Sequence, residues 1–289
     1  MKLHVINTGY FKLDGGAMFG VVPKVIWNKL CPADENNLIQ LAMRCLLIET
    51  DDRKILIDTG IGNKQDEKFF SHYFLNGHDS LEDSLKEKGF SREDITDVIL
   101  THLHFDHCGG SVEKVDGKFV PAFPNATYWT NAAHWQWATS PNEREKASFL
   151  KENIFPLEDY GVLKMIPVGE RKQNTIPLTS FNEEIDIRFC FGHTNAMMLP
   201  QIKCNGYTIV YVADLLPTVG HIPLPYVMGY DMFPMETLKE KKEFLAEAVE
   251  KKYILFFEHD PFHECCTLKM TEKGVRADEI FPLSNLISD

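Results

Sequence analysis

The amino-acid sequence predicts an α/β fold, and two observations lead to this prediction. Short apolar runs typical of strands alternate with segments that carry helix-capping residues and a helical spacing of apolar side chains. Several of the apolar runs end in histidine, aspartate or glutamate. Because open α/β sheets hold their chemistry beyond the carboxyl ends of strands, the sequence indicates a functional site formed by strand-end loops.

The first part of the chain is predicted to contain four strands and a helix. Residues 1–7 have the composition of a short strand, and 41–50 and 54–58 are apolar runs joined by a polar turn, as in a hairpin. A helix is expected at 80–88, where a serine can cap the first turn and a following glycine can end the last. The apolar run at 97–100 predicts a further strand.

The later part of the chain repeats this alternation. Two surface helices are predicted at 131–138 and 141–153, the second beginning with a Pro-Asn-Glu sequence that is typical of a helix start. Three more strands and one long helix are then expected: strands at 185–191, 207–213 and 253–257, and a helix at 235–251.

Length and composition indicate one ordinary globular domain. The chain has 289 residues, of which 44% are hydrophobic and 25% charged, and no low-complexity tract interrupts it. We therefore expect a single domain over residues 1–289. The N-terminus lacks a secretory-signal pattern, and no apolar run reaches the roughly 18 residues that span a bilayer, so a cytoplasmic protein without membrane contact is expected.

The charge balance argues against nucleic acid as a partner. Lys and Arg number 30 against 42 Asp and Glu, giving a net charge of −12, and no basic run offers phosphate contacts. We expect a small-molecule substrate instead. The apolar, turn-rich segments at 15–20 and 222–228 could line a cleft, pack in the core or form a homodimer contact.

The seven cysteines do not suggest a disulfide framework. They are odd in number and include no C-x-x-C pair, which also argues against a structural zinc site. Cys108 follows the histidine motif described next. It is interpreted either as a soft metal ligand or, with better support, as a small packing residue.

The most informative feature of the sequence is an H-x-H-x-D-H motif. His102, His104, Asp106 and His107 lie within six residues, directly after the strand predicted at 97–100. Imidazole and carboxylate groups are the ligands of zinc-type ions. Four such donors in six residues cannot all bind one ion from a regular strand or helix. The motif therefore predicts a loop that serves two adjacent metal ions.

Three further donors follow other predicted strands. His193, Asp214 and His259 each come at the end of an apolar run. Taken singly, a histidine after a strand is more often structural, and Asp214 could merely cap a turn. Their shared position at strand ends favours a common metal site.

Taken together, these residues resemble those of the metallo-β-lactamase-fold hydrolases. The resemblance covers about residues 1 to 265 and rests on the following segments: Asp58-Thr59-Gly60, the H-x-H-x-D-H motif with Gly109-Gly110, Gly192-His193-Thr194, Asp214, and His259-Asp260-Pro261. Thr-His-Leu-His-Phe-Asp-His at 101–107 and Glu-His-Asp-Pro at 258–261 make the chain most similar to the N-acyl-homoserine lactonase and methyl parathion hydrolase branch.

The resemblance implies a four-layer αββα sandwich with two metal ions at one edge of the paired sheets. It implies these ligands: His102, His104 and His193 for one ion, Asp106, His107 and His259 for the other, and Asp214 bridging both. Asp58 would orient the ligand loop without binding metal.

The activity implied by the resemblance is metal-dependent hydrolysis. A hydroxide bridging two divalent ions would attack a small ester, lactone or phosphotriester. Zinc suits the ligands best, with iron, manganese or cobalt as alternatives. Asp106 or Asp214 would pass a proton to the leaving group. A metal-dependent nuclease and a non-catalytic metal-binding protein of the same fold are the competing hypotheses.

The chain departs from the resembled branch at two places. Asn195-Ala196 follows the Gly-His-Thr segment where many members have Pro-Gly. Leu215, Leu216 and Pro217 stand where the acyl-homoserine lactonases have a tyrosine shortly after the bridging aspartate. The resemblance therefore leaves the substrate open among esters, lactones and phosphotriesters.

Overall fold

A computed structural model describes residues 1–169 and 178–286 of the chain. Contacts group the chain into two compact units. The first unit contains Met1–Tyr10 and Met43–Pro167, and the second contains Phe11–Ala42 and the described residues from Val168 onward. The expectation of a single domain over 1–289 stays a prediction.

Strands make up most of the regular structure. The strands of the described residues are β1 (Lys2–Asp14), β2 (Leu38–Glu49), β3 (Lys54–Ile57), β4 (Asp97–Ile99), β5 (Val112–Val115), β6 (Lys118–Pro121), β7 (Thr127–Thr130), β8 (Leu163–Met165), β9 (Leu178–Ser180), β10 (Ile185–Cys190), β11 (Met197–Cys204), β12 (Tyr207–Tyr211), β13 (Ile254–Phe256), β14 (Cys265–Thr271) and β15 (Gly274–Phe281).

The helices are shorter, with one exception. The α-helices of the described residues are α1 (Gly15–Phe19), α2 (Lys24–Trp27), α3 (Glu67–Ser71), α4 (Leu81–Glu87), α5 (Phe105–Cys108), α6 (Ala132–Thr139), α7 (Lys151–Asp159) and α8 (Pro234–Glu250). No helix in the described part of the chain combines the length and apolar character that crossing a bilayer requires.

The first unit contains most of a six-stranded sheet in the order β1-β2-β3-β4-β7-β8. β3, β4, β7 and β8 are parallel neighbours. β3 and β4 are almost entirely buried, as expected for parallel strands covered on both faces. Leu56 of β3 and Val98 of β4 join one core with Leu85. Because Ile57 pairs with Ile99, the chain leaves β3 and β4 at the same edge of the sheet.

The second unit contains a seven-stranded sheet in the order β15-β14-β13-β12-β11-β10-β9. β12 and β13 are its parallel pair, with Tyr211 opposite Phe256 and their rings stacked at 5.5 Å. Asp214 and His259 therefore follow neighbouring strands at one edge. α8 packs against β14 and β15 and buries Phe244.

Most predicted elements are confirmed. The predicted hairpin is formed by β2 and β3, and the predicted helix at 80–88 is α4, where the Ser80 hydroxyl accepts a hydrogen bond from the Asp83 amide. The first strand is longer than expected because β1 continues to Asp14. The seven cysteines are all free and buried, as the absence of a disulfide pattern predicts.

The helix predicted at 141–153 is wrong. The Asn142 side chain accepts hydrogen bonds from the amides of Arg144 and Glu145, so the helix-start sequence forms a turn instead. Helix α7 begins only at Lys151. Glu145 and Asn153 are also buried, whereas a surface helix was expected.

A partly buried ion pair joins β10 to α8 in the second unit. Arg188 donates to both carboxylate oxygens of Glu247, each at 2.9 Å, and Lys251 and Tyr253 contact the same carboxylate. Burial alone would raise the pKa of Glu247, but the hydrogen bonds and the charge of Arg188 lower it to about 2.

Glu247→Gln is expected to reduce the free energy of unfolding at pH 7 by about 1–2 kcal/mol, after allowance for solvent screening. Because the folded pKa lies below the ordinary value of 4.5, the stabilisation is complete above pH 4.5 and is lost as the pH falls towards 2. Urea unfolding at pH 7, 5 and 3.5 measures this. The difference in unfolding free energy between wild type and Glu247→Gln should become smaller as the pH falls. Glu250 is an exposed residue on α8, and Glu250→Gln should show no such trend.

Candidate metal centre

The H-x-H-x-D-H motif forms a turn that follows β4 in the first unit. His102 and His104 lie in extended chain, while Asp106 and His107 lie in α5. The donor atoms of His102 and His104 lie within 4.8 Å of each other, and so do those of Asp106 and His107. The four residues are at most 8% exposed. The loop therefore gathers its four donors in two pairs.

Asp58 anchors this loop from the end of β3. Its carboxylate accepts hydrogen bonds from the Thr101 amide at 2.7 Å and the Thr101 hydroxyl at 2.6 Å, and it lies 3.1 Å from Nδ1 of His107. Since an ionised carboxylate can only accept, Nδ1 of His107 bears the hydrogen. Nε2 of His107 is then the nitrogen left to bind a metal ion. These contacts are those expected of a residue that orients a ligand.

Glycines allow the loop to pack against the chain that follows β3. The Thr59 hydroxyl donates to the carbonyl of His107 at 3.0 Å, and the Gly110 amide donates to the carbonyl of Gly60 at 2.9 Å. A Cβ atom on Gly109 would lie only 2.1 Å from the carbonyl oxygen of Ile61. The two segments can approach this closely only because residue 109 has no side chain.

Glu145 contacts the ligand loop and was missed in the sequence. Its carboxylate lies 3.0 Å from Nε2 of His104, and the residue is 2% exposed. Trp137 donates its indole N–H to the same carboxylate at 2.6 Å. The sequence offers no signal for this contact, because the predicted helix at 141–153 would place Glu145 on the surface.

Cys108 and Phe105 complete the surroundings of the loop. The Cys108 thiol is buried, contacts the carbonyl of Leu103 at 3.4 Å, and has its pKa raised to about 12 by burial. A protonated thiol of this kind agrees with the packing interpretation and not with a metal ligand. Phe105 contacts the rings of Phe69 and Tyr73, with centroids 5.3 and 4.6 Å away.

The second unit brings together the other three predicted ligands. One oxygen of Asp214 lies 3.1 Å from Nε2 of His193, and the other lies 3.2 Å from Nε2 of His259. All three side chains are buried. The carboxylate of Asp214 therefore presents each of its oxygens to a different imidazole.

The other nitrogen of each imidazole is held in place. Nδ1 of His193 lies 2.9 Å from the carboxylate of Asp231, and Nδ1 of His259 lies 2.8 Å from the carbonyl of Ala42. Both partners accept hydrogen bonds, so both Nδ1 atoms carry hydrogen and both Nε2 atoms face Asp214. Burial alone would lower the pKa of His193, but Asp214 and Asp231 raise it to about 10.

His221 is a packing residue. Its ring stacks on Phe19 at 4.3 Å, and its nitrogens contact the Thr218 hydroxyl at 2.8 Å and the Met18 carbonyl at 2.9 Å. Burial lowers its pKa to about 3, so the imidazole is neutral. Lys241 donates to its carbonyl at 2.8 Å. Both ring nitrogens of His221 are thus engaged in contacts within the core.

The three donors of the second unit are spaced as the ligands of a divalent metal ion are. Two ligands bound tetrahedrally at about 2.0 Å stand about 3.3 Å apart. The distances from Asp214 to His193 and His259, 3.1 and 3.2 Å, match this separation. The remaining nitrogens of His104, His107, His193 and His259 contact carboxylates or a carbonyl, as those of metal-ligating histidines do.

Comparison with known proteins identifies the family. Residues 43–259 match the model of the metallo-β-lactamase superfamily. The chain belongs to this superfamily. It is 28% identical over 275 residues to an N-acyl homoserine lactonase from Bacillus thuringiensis, which covers 90% of this chain and 93% of the relative. It is 26% identical over 273 residues to one from a Bacillus species, with the same coverage.

Solved structures agree with this assignment. A probable metal-dependent hydrolase from Staphylococcus aureus is 28% identical and superposes with a TM-score of 0.85 over 96% of this chain and 95% of that one. AidC, a dizinc quorum-quenching lactonase, is 23% identical and shares the fold, with a TM-score of 0.77 over 98% and 97% of the chains. The predicted metallo-β-lactamase fold is confirmed, and with it the prediction of a hydrolase that uses divalent metal ions.

Proposed function

We propose that the protein holds two divalent ions, most favourably zinc, and that it hydrolyses a small ester, lactone or phosphotriester. The proposed ligands are His102, His104, Asp106, His107, His193, Asp214 and His259. The observation that supports a pair of ions most strongly is the placement of Asp214, whose two oxygens each face the Nε2 atom of a different histidine. A carboxylate in this arrangement is suited to bridge two ions.

Two divalent ions, when bound, lower the pKa of a shared water towards neutrality and polarise a substrate oxygen. The chain contributes preorganisation to this chemistry. Asp58 and Asp231 hold His107 and His193 with Nδ1 protonated, so that the opposite nitrogen can act as a ligand. Asp106 and Asp214, which are 8% and 7% exposed, are the carboxylates proposed to pass a proton to the leaving group.

The surroundings favour a substrate with an apolar part. Phe105 lies between two of the proposed ligands and packs with Phe69 and Tyr73, so the first unit places aromatic surface beside the metal loop. The N-acyl homoserine lactonases among the relatives make a lactone with an acyl chain the first substrate to test. The net charge of −12 argues against nucleic acid as a substrate.

Metal analysis and a substrate screen test this function. We expect about two divalent ions per purified chain and turnover within a series of acyl lactones, aryl esters and phosphotriesters. His104→Ala should reduce kcat/KM by about a hundredfold or more and lower the metal content. His78→Ala, at an exposed position, is the matched control and should change neither.

The competing hypotheses give different results in the same experiment. A chain that retains one ion or none would contradict the binuclear site. Metal-loaded protein that shortens a small RNA but leaves every ester, lactone and phosphotriester intact would favour a nuclease. Full metal loading with no turnover in either assay would indicate a binding protein.

A further inference from the structure

We propose that Glu145 is a positioning residue for the metal site: it holds His104 with Nε2 protonated, so that Nδ1 is the nitrogen presented to the metal ion. The proposal rests on the proposed function in one respect, namely that His104 is a ligand. It assigns a role to a residue outside the H-x-H-x-D-H motif, 41 positions away in the sequence.

The hydrogen-bond roles follow from the chemistry of the two groups. Nε2 of His104 lies 3.0 Å from Oε1 of Glu145, and an ionised carboxylate has no hydrogen to donate. Nε2 must therefore be the donor. In a neutral imidazole, Nδ1 then has the free electron pair that a metal ion needs. The contact selects one of the two tautomers of His104.

The carboxylate of Glu145 is itself held in position. Its Oε2 accepts from the indole of Trp137 at 2.6 Å and from the side-chain amide of Asn142 at 3.4 Å. The Asn142 side chain also accepts from the Glu145 amide, which fixes the turn that carries the residue. Two donors from separate positions thus meet at Oε2, and the carboxylate is oriented with Oε1 directed at His104.

Burial strengthens this contact. Glu145 is 2% exposed, so water screens its charge little. A carboxylate bound to the remote N–H of a metal-ligating histidine makes the other nitrogen a stronger donor. Glu143 lies two residues away but is exposed and pairs with Lys146 on the surface. The two glutamates therefore offer a matched pair, in which only Glu145 contacts the metal loop.

A contact between the main chain of the ligand loop and α6 also supports a positioning role for this part of the chain. The amide of Leu103, which precedes His104, donates to Nε2 of His134 at 2.8 Å. His134 lies in α6, and its own amide is capped by the side chain of Asn131 at 2.9 Å. The segment from 131 to 145 therefore holds the ligand loop at two consecutive residues, once through the main chain and once through the imidazole.

The test compares zinc affinity in Glu145→Gln and Glu143→Gln, measured by competition with a chromogenic chelator. Glutamine is nearly isosteric with glutamate, but its NH2 group must face one of the N–H groups that donate hydrogen bonds to the carboxylate. We therefore expect the zinc dissociation constant to rise 10- to 100-fold. Glu143→Gln should remain within twofold of wild type. Equal affinities in wild type and Glu145→Gln would overturn the proposal.

A loss of affinity through misfolding must be distinguished from loss of positioning. In a His104→Ala background, Glu145→Gln should cause no further loss of zinc affinity, because the contact it acts through is absent. A further tenfold loss there would show that the substitution acts through general structure and would overturn the proposal.

A spectrum of the wild-type protein provides a readout that needs neither turnover nor a variant. Nitrogen-15 NMR of the metal-free protein at pH 8 reports which imidazole nitrogen of His104 carries hydrogen. We expect the Nε2–H form, and the Nδ1–H form would overturn the proposal. If the wild-type chain binds no zinc, the proposed function fails, but this spectrum still decides the role of Glu145.

Discussion

Asp58→Ala is expected to reduce the free energy of unfolding by about 3–5 kcal/mol. The substitution removes the acceptor for the amide and hydroxyl of Thr101 and for Nδ1 of His107, in a place where none of these residues is exposed by more than 1%. Each buried donor left without a partner costs about 1–3 kcal/mol. Urea unfolding of the metal-free protein measures the loss.

Backbone conformation could contribute to this effect, since Asp58 has a φ of 57°. Asp116 offers a control because it has a similar φ of 49° but lies exposed at the turn between β5 and β6. Asp116→Ala retains the cost of a left-handed alanine without the loss of buried hydrogen bonds. A loss in Asp116→Ala as large as that in Asp58→Ala would show that the backbone, and not the hydrogen bonds, makes Asp58 important.

Asp58→Asn distinguishes the effect of the hydrogen-bond acceptor at residue 58 from the effect of its negative charge. One side-chain oxygen remains for the Thr101 amide, but the new NH2 group meets the Thr101 hydroxyl and the N–H of His107. We expect a smaller loss of stability than in Asp58→Ala and a clear loss of zinc affinity, because His107 is no longer held in the tautomer that has its lone pair on Nε2.

Gly109→Ala is expected to destabilise the protein by about 3 kcal/mol or more and to reduce its metal content. The added Cβ would lie 2.1 Å from the Ile61 carbonyl oxygen and 2.5 Å from the carbonyl carbon. Both are backbone atoms, so the clash can be relieved only if the ligand loop moves away from the chain that follows β3. Gly109 has a φ of −60°, which alanine adopts freely, so the effect is one of space alone.

Gly117→Ala is the control for this substitution. Gly117 has a φ of +79°, but nothing lies within 4 Å of its added Cβ. The substitution should cost only the strain of a left-handed alanine, about 1 kcal/mol. Thermal unfolding and metal analysis of both variants check the prediction. A Gly109→Ala protein with wild-type stability and metal content would contradict the close packing of the ligand loop.

The proposed ligands could be predicted from the sequence because each follows an apolar strand. Parallel strands end at a common edge, so Asp214 after β12 and His259 after β13 arrive as neighbours once those strands pair. The same reasoning applies to Asp58 and the loop at 101–107, which follow β3 and β4. Here local apolar pattern and tertiary pairing favour the same arrangement.

The residues that orient the ligands could not be predicted in this way. Glu145 and Asp231 contact histidines 41 and 38 positions away, and both lie outside helices and strands, where no periodic pattern fixes the direction of a side chain. The helix-start sequence at 141–143 was also ambiguous, since an asparagine side chain can cap a helix or close a turn. The turn brings the buried carboxylate of Glu145 to its hydrogen-bond donors.

The position of Asp214 has a consequence for how the protein would acquire the two ions proposed for it. One carboxylate lies beside both His193 and His259, so its rotation toward either imidazole withdraws an oxygen from the other. An ion bound beside one histidine would fix the orientation of the Asp214 carboxylate, and this would place its other oxygen to bind an ion beside the second histidine. We therefore expect loading to be cooperative, with half-filled molecules scarce throughout a zinc titration, and we expect Asp214→Asn to weaken both affinities together instead of one.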